Sequence, residues 1–207
     1  MIKLVYFDFN FWRVDILRLS LSHGKIPYHY KRIIRANWPQ EKKRFPFGQL
    51  PIMEIDGKIF AHTHSMVRYC AVQSGLYAQD PIKALVIDQV IDWANEITLR
   101  IAPSIREKNI EKSSLLRKKF IKNELHTWFG YLENLFDSFS EDRKFFIQKF
   151  SIADITAWRV IHWFISGQLD QIPLDFIDKY PILKKFYKEI SNLKSFNHLK
   201  EFKDIVN

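Results

Sequence analysis

Between Phe45 and Tyr69 the chain reads FPFGQLPIMEIDGKIFAHTHSMVRY, and the chemistry this block can do is mostly backbone chemistry. Pro51 stands at the entry to a strand of Ile52, Met53, Glu54 and Ile55. A proline there cannot donate to a sheet ladder, and X-Pro is the common setting for a cis peptide bond. A cis Leu50-Pro51 bond would turn the Leu50 N–H and C=O away from their own sheet, where an extended peptide ligand can pair with them. Farther on, Thr63 precedes the apolar-periodic run Met66, Val67, Tyr69 and Cys70, which Gly75 ends. A helix start with a hydroxyl cap favours carboxylates, because free N–H groups and the helix dipole both point there. The ligand implied has a peptide middle and a carboxylate end.

The elements that must position these groups are short at first and long afterwards. Strands are expected at Lys3 to Asp8, Pro27 to Ile33, Ile52 to Ile55 and Lys58 to Phe60, with Asp56-Gly57 as a two-residue hairpin turn. Helices are expected from about Val14 to His23 and from about Ser65 to Ser74. This βαβ then ββα order suggests a thioredoxin-like sheet over residues 1–76, an α/β unit, followed after a turn by an all-α domain over 82–207. Long helical stretches are expected at about 82–109 and 113–138. Ser151-Ile152-Ala153-Asp154 reads as a capping box, with Ser151 as N-cap, Asp154 reaching back from the third helical position, and Phe150 with Ile155 as a staple.

The bulk properties agree with an ordered globular protein. The chain has 207 residues, 47% of them hydrophobic, and a mean hydropathy of -0.21. No run approaches the ~18 apolar residues of a membrane span, and the N-terminus lacks the pattern of a signal peptide. The single cysteine, Cys70, cannot form an internal disulfide and reads as a buried small hydrophobe, so a cytoplasmic location is expected. The net charge is +9, with dense runs at Lys42-Lys43-Arg44, Arg117-Lys118-Lys119 and Lys184-Lys185. These runs are far apart, and the aromatics sit at core spacing, which favours solvated faces over a nucleic-acid surface. The seven histidines show no ligand pair beside a helical carboxylate, so no metal is expected.

The block closely resembles the glutathione-binding half of the cytosolic glutathione transferases, whose pattern is PFGQLPxLEVDG, a Gln-Ser pair and an AIxRYL helix. Here it stands as Pro46-Phe47-Gly48-Gln49-Leu50-Pro51, Glu54-Ile55-Asp56-Gly57 and Ser65-Met66-Val67-Arg68-Tyr69. The resemblance extends to KLVYFD at the start and to SIAD at 151–154, and so covers essentially the whole chain. Tyr6 at the end of the first strand is similar to the tyrosine-type classes, and Trp38 followed by Lys42 looks most like the sigma class.

The resemblance implies glutathione as co-substrate and a hydrophobic electrophile as its partner. On its own Tyr6 is a strand aromatic; with the family pattern it becomes the catalytic phenol. Only the thiolate of glutathione attacks electrophiles, and a phenol that donates to the sulfur stabilises it. Arg13 matches an arginine that helps polarise the thiol. The family's first loop reads Tyr-Phe-x-x-Arg-Gly-Arg-Ala-Glu, whereas here Tyr6-Phe7-Asp8-Phe9-Asn10-Phe11-Trp12-Arg13-Val14-Asp15 is one residue longer and loses the glycine. Phe9, Phe11 and Trp12 therefore either line an aromatic pocket rim or plug it. Trp38 and Lys42 resemble the residues that hold the glycyl carboxylate, although Lys42 alone reads equally as a solvated lysine. Gln49, Leu50 and Pro51 would meet the cysteinyl backbone. His62 and Thr63 occupy the Gln-Ser positions, which implies a binding affinity more sensitive to pH near neutrality than usual.

Family members are usually homodimers, and an acidic residue of the partner's long helix meets the ligand's amino group. Glu96 takes that position here, and reads equally well as a solvated helical glutamate. Phe47 lies where some classes insert an aromatic into the partner. Arg13, Phe9, Trp12, Pro103, Ser104 and the region of Trp158 are expected pocket walls. Three functions stay open: conjugation of glutathione to electrophiles, sigma-type prostaglandin isomerisation, and a weakly catalytic ligand-binding or structural role. A basic nucleic-acid module is a fourth reading with a steep salt dependence as its mark.

Overall fold

The structure, a computed structural model, describes residues 1–206. Two compact units divide the chain: Met1–Ala78 together with the stretch from Leu193 onward, and Gln79–Asn192. In the first unit, β1 (Ile2–Phe7) is an inner strand, as its nearly continuous apolar sequence requires; Leu4, Val5 and Tyr6 are all buried. The helix α1 (Trp12–His23) then crosses over so that β2 (Tyr28–Ile33) can lie parallel to β1, in register from Ile2↔Tyr28 to Phe7↔Ile33. After short turns and the one-turn helix α2 (Trp38–Glu41), β3 (Ile52–Ile55) returns antiparallel to β1, with Val5 opposite Ile52, and β4 (Lys58–Ala61) closes the hairpin. Strand order is β2-β1-β3-β4. Asp56 (φ 49°) and Gly57 (φ 78°) both take the left-handed conformation that a tight two-residue hairpin turn demands.

The helix α3 (Thr63–Gln73) packs on α1. Their C-terminal ends approach so closely that a Cβ on Gly24 would sit 2.6 Å from Ser74 Cβ and 2.8 Å from its Cα. Gly24 is thus required for approach, since its φ of -74° is open to any residue. Ser20 and Ser74 hydroxyls share a 2.8 Å hydrogen bond at the same place. The sequence expectation started α1 at Val14; the helix begins two residues earlier because Val14 and Asp15 both donate to the Phe11 carbonyl, at 3.1 and 3.0 Å.

The second unit is helical. Its first helix, α4 (Pro81–Arg106), has Asp80 as N-cap, accepting from Lys83 N at 2.9 Å, with Pro81 in the first turn. It stops three residues short of the expected end, because Asn109 caps the next helix instead, accepting from Lys112 N at 2.9 Å. That helix, α5 (Ile110–Phe120), runs through one widened π turn at Ile121–Leu125 into α6 (His126–Phe139). The capping box then starts α7 (Ile152–Ile165), and Pro181 opens α8 (Pro181–Ser191). Asp154 is fully buried and accepts from the backbone of Phe146 (2.9 Å) and Ser151 (2.8 Å) and from the Ser151 hydroxyl (2.9 Å).

The stretch from Leu193 contains α9 (Lys194–Asn197) and α10 (Lys200–Val206). The sequence division placed it with the helices from 82 onward, but its contacts group it with the sheet. Tyr28 donates to Glu201 at 2.7 Å and the buried Arg18 pairs with Asp204 at 3.1 Å. A thioredoxin-like mixed sheet with its helices and an all-helical unit make up the fold. Among the described residues no helix is long and apolar enough to cross a membrane.

Candidate functional site

Tyr6 ends β1 opposite Arg32 of β2 and is only 4% exposed. Phe7 and Phe9 meet its ring edge-on at 5.2 and 5.7 Å, and Phe11 lies parallel to it at 6.4 Å. Burial raises the phenol pKa well above its ordinary value; Arg13 and, more weakly, Arg35 pull it back, while Asp15 adds to the rise. The phenol therefore stays protonated at neutral pH and can donate a hydrogen bond. Arg13, in the first turn of α1, holds its guanidinium 4.7 Å over the Trp12 ring. Arg35 lies 5.9 Å over Phe9, and its backbone N–H donates to Asp8 Oδ1 at 3.3 Å.

Arg35 was missed by the sequence reading. The signal available was the parallel register: Arg32 lies opposite Tyr6, and Arg35 follows within one turn of chain. The aromatic loop also needs correction. Trp12 is fully buried and belongs to the core, so it lines no pocket, whereas Phe9 is 39% exposed and Phe11 half-buried. In the helical unit Ser104 and Trp158 are likewise buried. Ser104 donates to the Ile101 carbonyl at 2.8 Å and Trp158 Nε1 to Ser191 Oγ at 2.8 Å, so both act within that unit's interior.

A chain of ring contacts joins Tyr6 to the expected carboxylate site. Phe7 meets Trp38 edge-on at 5.1 Å, and Trp38 stacks on Phe45 at 5.8 Å. Lys42 is exposed, and its stem runs beside Gly48, where an added Cβ would lie 2.8 Å from Lys42 Cε. Gly48 (φ 54°) has no side chain to block that path. Gln49 follows, exposed and extended. Leu50 packs with Phe45 and Ala61 against Val5, Ile33 and Ile52, the Leu50-Pro51 bond is cis, and the β3 ladder begins only at Ile52.

The start of α3 differs from expectation. The sequence makes Thr63 the hydroxyl cap, but Thr63 is the first helical residue and is buried; His62 occupies the cap, with φ 67° and no side-chain capping hydrogen bond. The reason is local: Ser65 Oγ donates to the carbonyls of Ala61 and His62, both at 2.9 Å, and holds the entering chain from within the first turn. Met66 N is the first amide bonded back, to the His62 carbonyl at 3.2 Å, so the preceding amides have no intrahelical acceptor. The exposed His62 ring lies 4.4 Å from that of Phe47, itself 71% exposed with φ 58°. Glu96 belongs to the helical unit, where it pairs with Arg100 at 3.5 Å; Arg100 also bonds Glu124 at 2.9 Å and covers the Trp128 ring at 4.3 Å.

The structure thus brings Tyr6, Arg13, Arg35 and Trp38 into one aromatic and cationic cluster and links Lys42 to Gly48 and Phe47 to His62. The charge follows the same division. The sheet unit carries 15 basic and 7 acidic residues, the helical unit 17 and 16, so eight of the nine excess positive charges lie in the unit that holds the cluster. Among the described residues no group of three His, Cys, Asp or Glu could hold a metal ion.

Residues 95–203 match the family model for the Glutathione S-transferase, C-terminal domain. Hematopoietic prostaglandin D synthase of Gallus gallus is 30% identical over 182 residues, 87% of this chain and 85% of that protein. The structure of prostaglandin synthase D of Nilaparvata lugens is similar with a TM-score of 0.80 at 26% identity, over 95% of each chain. A Fasciola hepatica sigma class glutathione S-transferase shares the fold with a TM-score of 0.80 at 19% identity, over 100% of this chain and 96% of that one. With a matching family model over half its length and a relative of this identity over most of it, the chain belongs to the glutathione S-transferase family.

Proposed function

We propose that this protein is a tyrosine-type glutathione transferase, closest to the sigma class, that joins the thiolate of glutathione to hydrophobic electrophiles. The observation that carries the reading is Tyr6: a buried, protonated phenol among aromatic rings, with Arg13 and Arg35 close enough to act on it electrostatically. A neutral phenol next to a sulfur donates to the thiolate and favours it over the thiol, while the two guanidinium groups add a positive field. Trp38 and Lys42 hold the glycyl carboxylate. Leu50, with Gln49 and Pro51, pairs with the cysteinyl backbone. His62 and Thr63, at the uncapped start of α3, receive the other carboxylate. The excess charge of the sheet unit draws the anionic tripeptide to this site.

The protein acts as a cytoplasmic homodimer in this reading, with a glutathione-binding domain built on residues 1–76 and a helical domain, from 82 to Asn192, that contributes to electrophile binding. Glu96 serves the partner's ligand, its half-exposed carboxylate, 3.5 Å from Arg100, accepting from the ligand's amino group.

A second reading, glutathione-dependent isomerisation of a prostaglandin endoperoxide, is favoured by the names of two relatives, one from Gallus gallus and one from Nilaparvata lugens. Capture on immobilised glutathione, followed by assays with a chloronitroaromatic, an enal and a prostaglandin endoperoxide, tests both. Turnover of the first two supports the transferase, and selective conversion of the endoperoxide supports the isomerase. Capture without turnover points to a ligand-binding protein, and failure of capture refutes the glutathione site.

A further inference from the structure

The loop between β1 and α1 carries Phe9 and Phe11, the two rings that flank Tyr6 beyond its own strand. Between them stands Asn10, and its side chain is tied at both ends. Its Oδ1 accepts from Arg32 of the edge strand at 3.2 Å, and its Nδ2 donates to the Asp204 carbonyl at 2.7 Å. The two ends need different chemistry, an acceptor toward a guanidinium and a donor toward a carbonyl, which a primary amide supplies in one group. The carbonyl belongs to the last turn of α10, where helix carbonyls have no intrahelical donor. Asn10 is thus a side-chain cap for a helix nearly two hundred positions later in the chain.

That helix is firmly seated. Glu201, Phe202 and Ile205 are buried, Tyr28 donates to Glu201 at 2.7 Å, and Asp204 pairs with Arg18, whose side chain is 6% exposed. Other ties join the loop to β2 and the segment after it, through Asp8 N to the Ile33 carbonyl, Arg35 N to Asp8 and the Arg35 guanidinium over Phe9, while the Phe11 carbonyl accepts from Val14 and Asp15 of α1. Asn10, between the two aromatic rings, adds the tie that reaches from the loop to both Arg32 and α10.

We propose that α10, acting through Asn10, is a positioning device for Phe9 and Phe11, and thereby influences which electrophiles reach Tyr6. Asn10 is a positioning residue and touches no reacting atom. The part concerning electrophiles rests on the transferase reading; the tether itself does not.

The test compares full-length wild type with Asn10→Leu, which loses both bonds, and Asn10→Asp, which keeps an acceptor for Arg32 but sets a carboxylate against the Asp204 carbonyl. Amide hydrogen exchange at residues 9–12 should quicken about three- to tenfold in both variants, the range expected for one lost hydrogen bond. The KM for a chloronitroaromatic should rise by a similar factor, with the KM for glutathione and the thermal midpoint nearly unchanged. Exchange that stays at the wild-type rate overturns the tether. An Asn10→Asp variant that behaves as wild type shows that only Arg32 matters and overturns the role of α10. A rise in glutathione KM equal to that of the electrophile overturns the selectivity claim. If the wild type binds no glutathione, the transferase reading fails, and the exchange rates alone decide whether α10 holds the loop.

Discussion

Tyr6→Phe removes one oxygen from a residue that is 4% exposed and surrounded by rings at 5.2, 5.7 and 6.4 Å. Phenylalanine keeps the ring and its contacts, so the fold should be nearly unaffected, and the change reports on chemistry. Burial holds the phenol in its neutral form, so wild type offers a donor at any working pH. A hydrogen bond to a charged acceptor contributes about 1.5–3 kcal/mol. At about 1.4 kcal/mol per pH unit, losing it raises the pKa of bound glutathione by roughly one to two units toward the free-thiol value near 8.5. At pH 6.5 the thiolate fraction, and with it kcat/KM for a chloronitroaromatic, should fall about ten- to a hundredfold. The assay is the pH profile of kcat/KM in both proteins, with thiolate absorbance of the binary complex as an independent readout. The wild-type profile should level off at lower pH than the variant's, and the two should converge at high pH, where the thiol ionises without help. Coincident profiles, or a deficit of constant size at every pH, would refute the idea that Tyr6 acts on the thiolate.

Three further outcomes follow from the packing. Asp154→Ala removes the acceptor of two buried backbone N–H groups and the helix cap together, and should cost about 3–5 kcal/mol in urea unfolding; a loss under about 1 kcal/mol would show that water replaces the carboxylate. Gly24→Ala forces a methyl group against Ser74 at 2.6 Å and should destabilise by about 1–3 kcal/mol, without relief from a second change Ser74→Gly because the Cα is also within 2.8 Å. Cys70 is fully buried and its thiol is pushed up to about 12, so it should resist a disulfide reagent until the protein unfolds. Its linkage has a definite sign: above pH 9.0 the unfolded chain loses this proton while the native protein keeps it, so its contribution to stability declines as pH rises from there toward 12. Alkaline unfolding of Cys70→Ala should show a shallower decline, and an identical one would remove the assignment.

What was legible in the sequence is what short segments decide alone. Asp56-Gly57 demands its hairpin, Ser151 and Asp154 demand their helix start, and the apolar run around Tyr6 demands a strand, because in each case turn chemistry, capping or periodicity acts over a few residues. Thr63 misled for the opposite reason. A hydroxyl beside an amphipathic run is a good cap in general. Here Ser65 takes the carbonyls of Ala61 and His62, and the backbone at His62 turns left-handed, leaving Thr63 inside the helix. Arg35 reaches Tyr6 only through the parallel pairing of two strands separated by a helix, and Trp12 and Trp158 leave the expected pocket because tertiary packing claims their rings. The same distinction accounts for α10. Nothing near Lys200–Val206 announces a partner; the announcement is in Arg18, Tyr28 and Asn10, three polar side chains whose placement in a sheet domain makes sense only once a distant helix is laid against them. Local signals therefore locate the strands, turns and helix starts, whereas the residues that surround Tyr6 are defined by contacts across the fold.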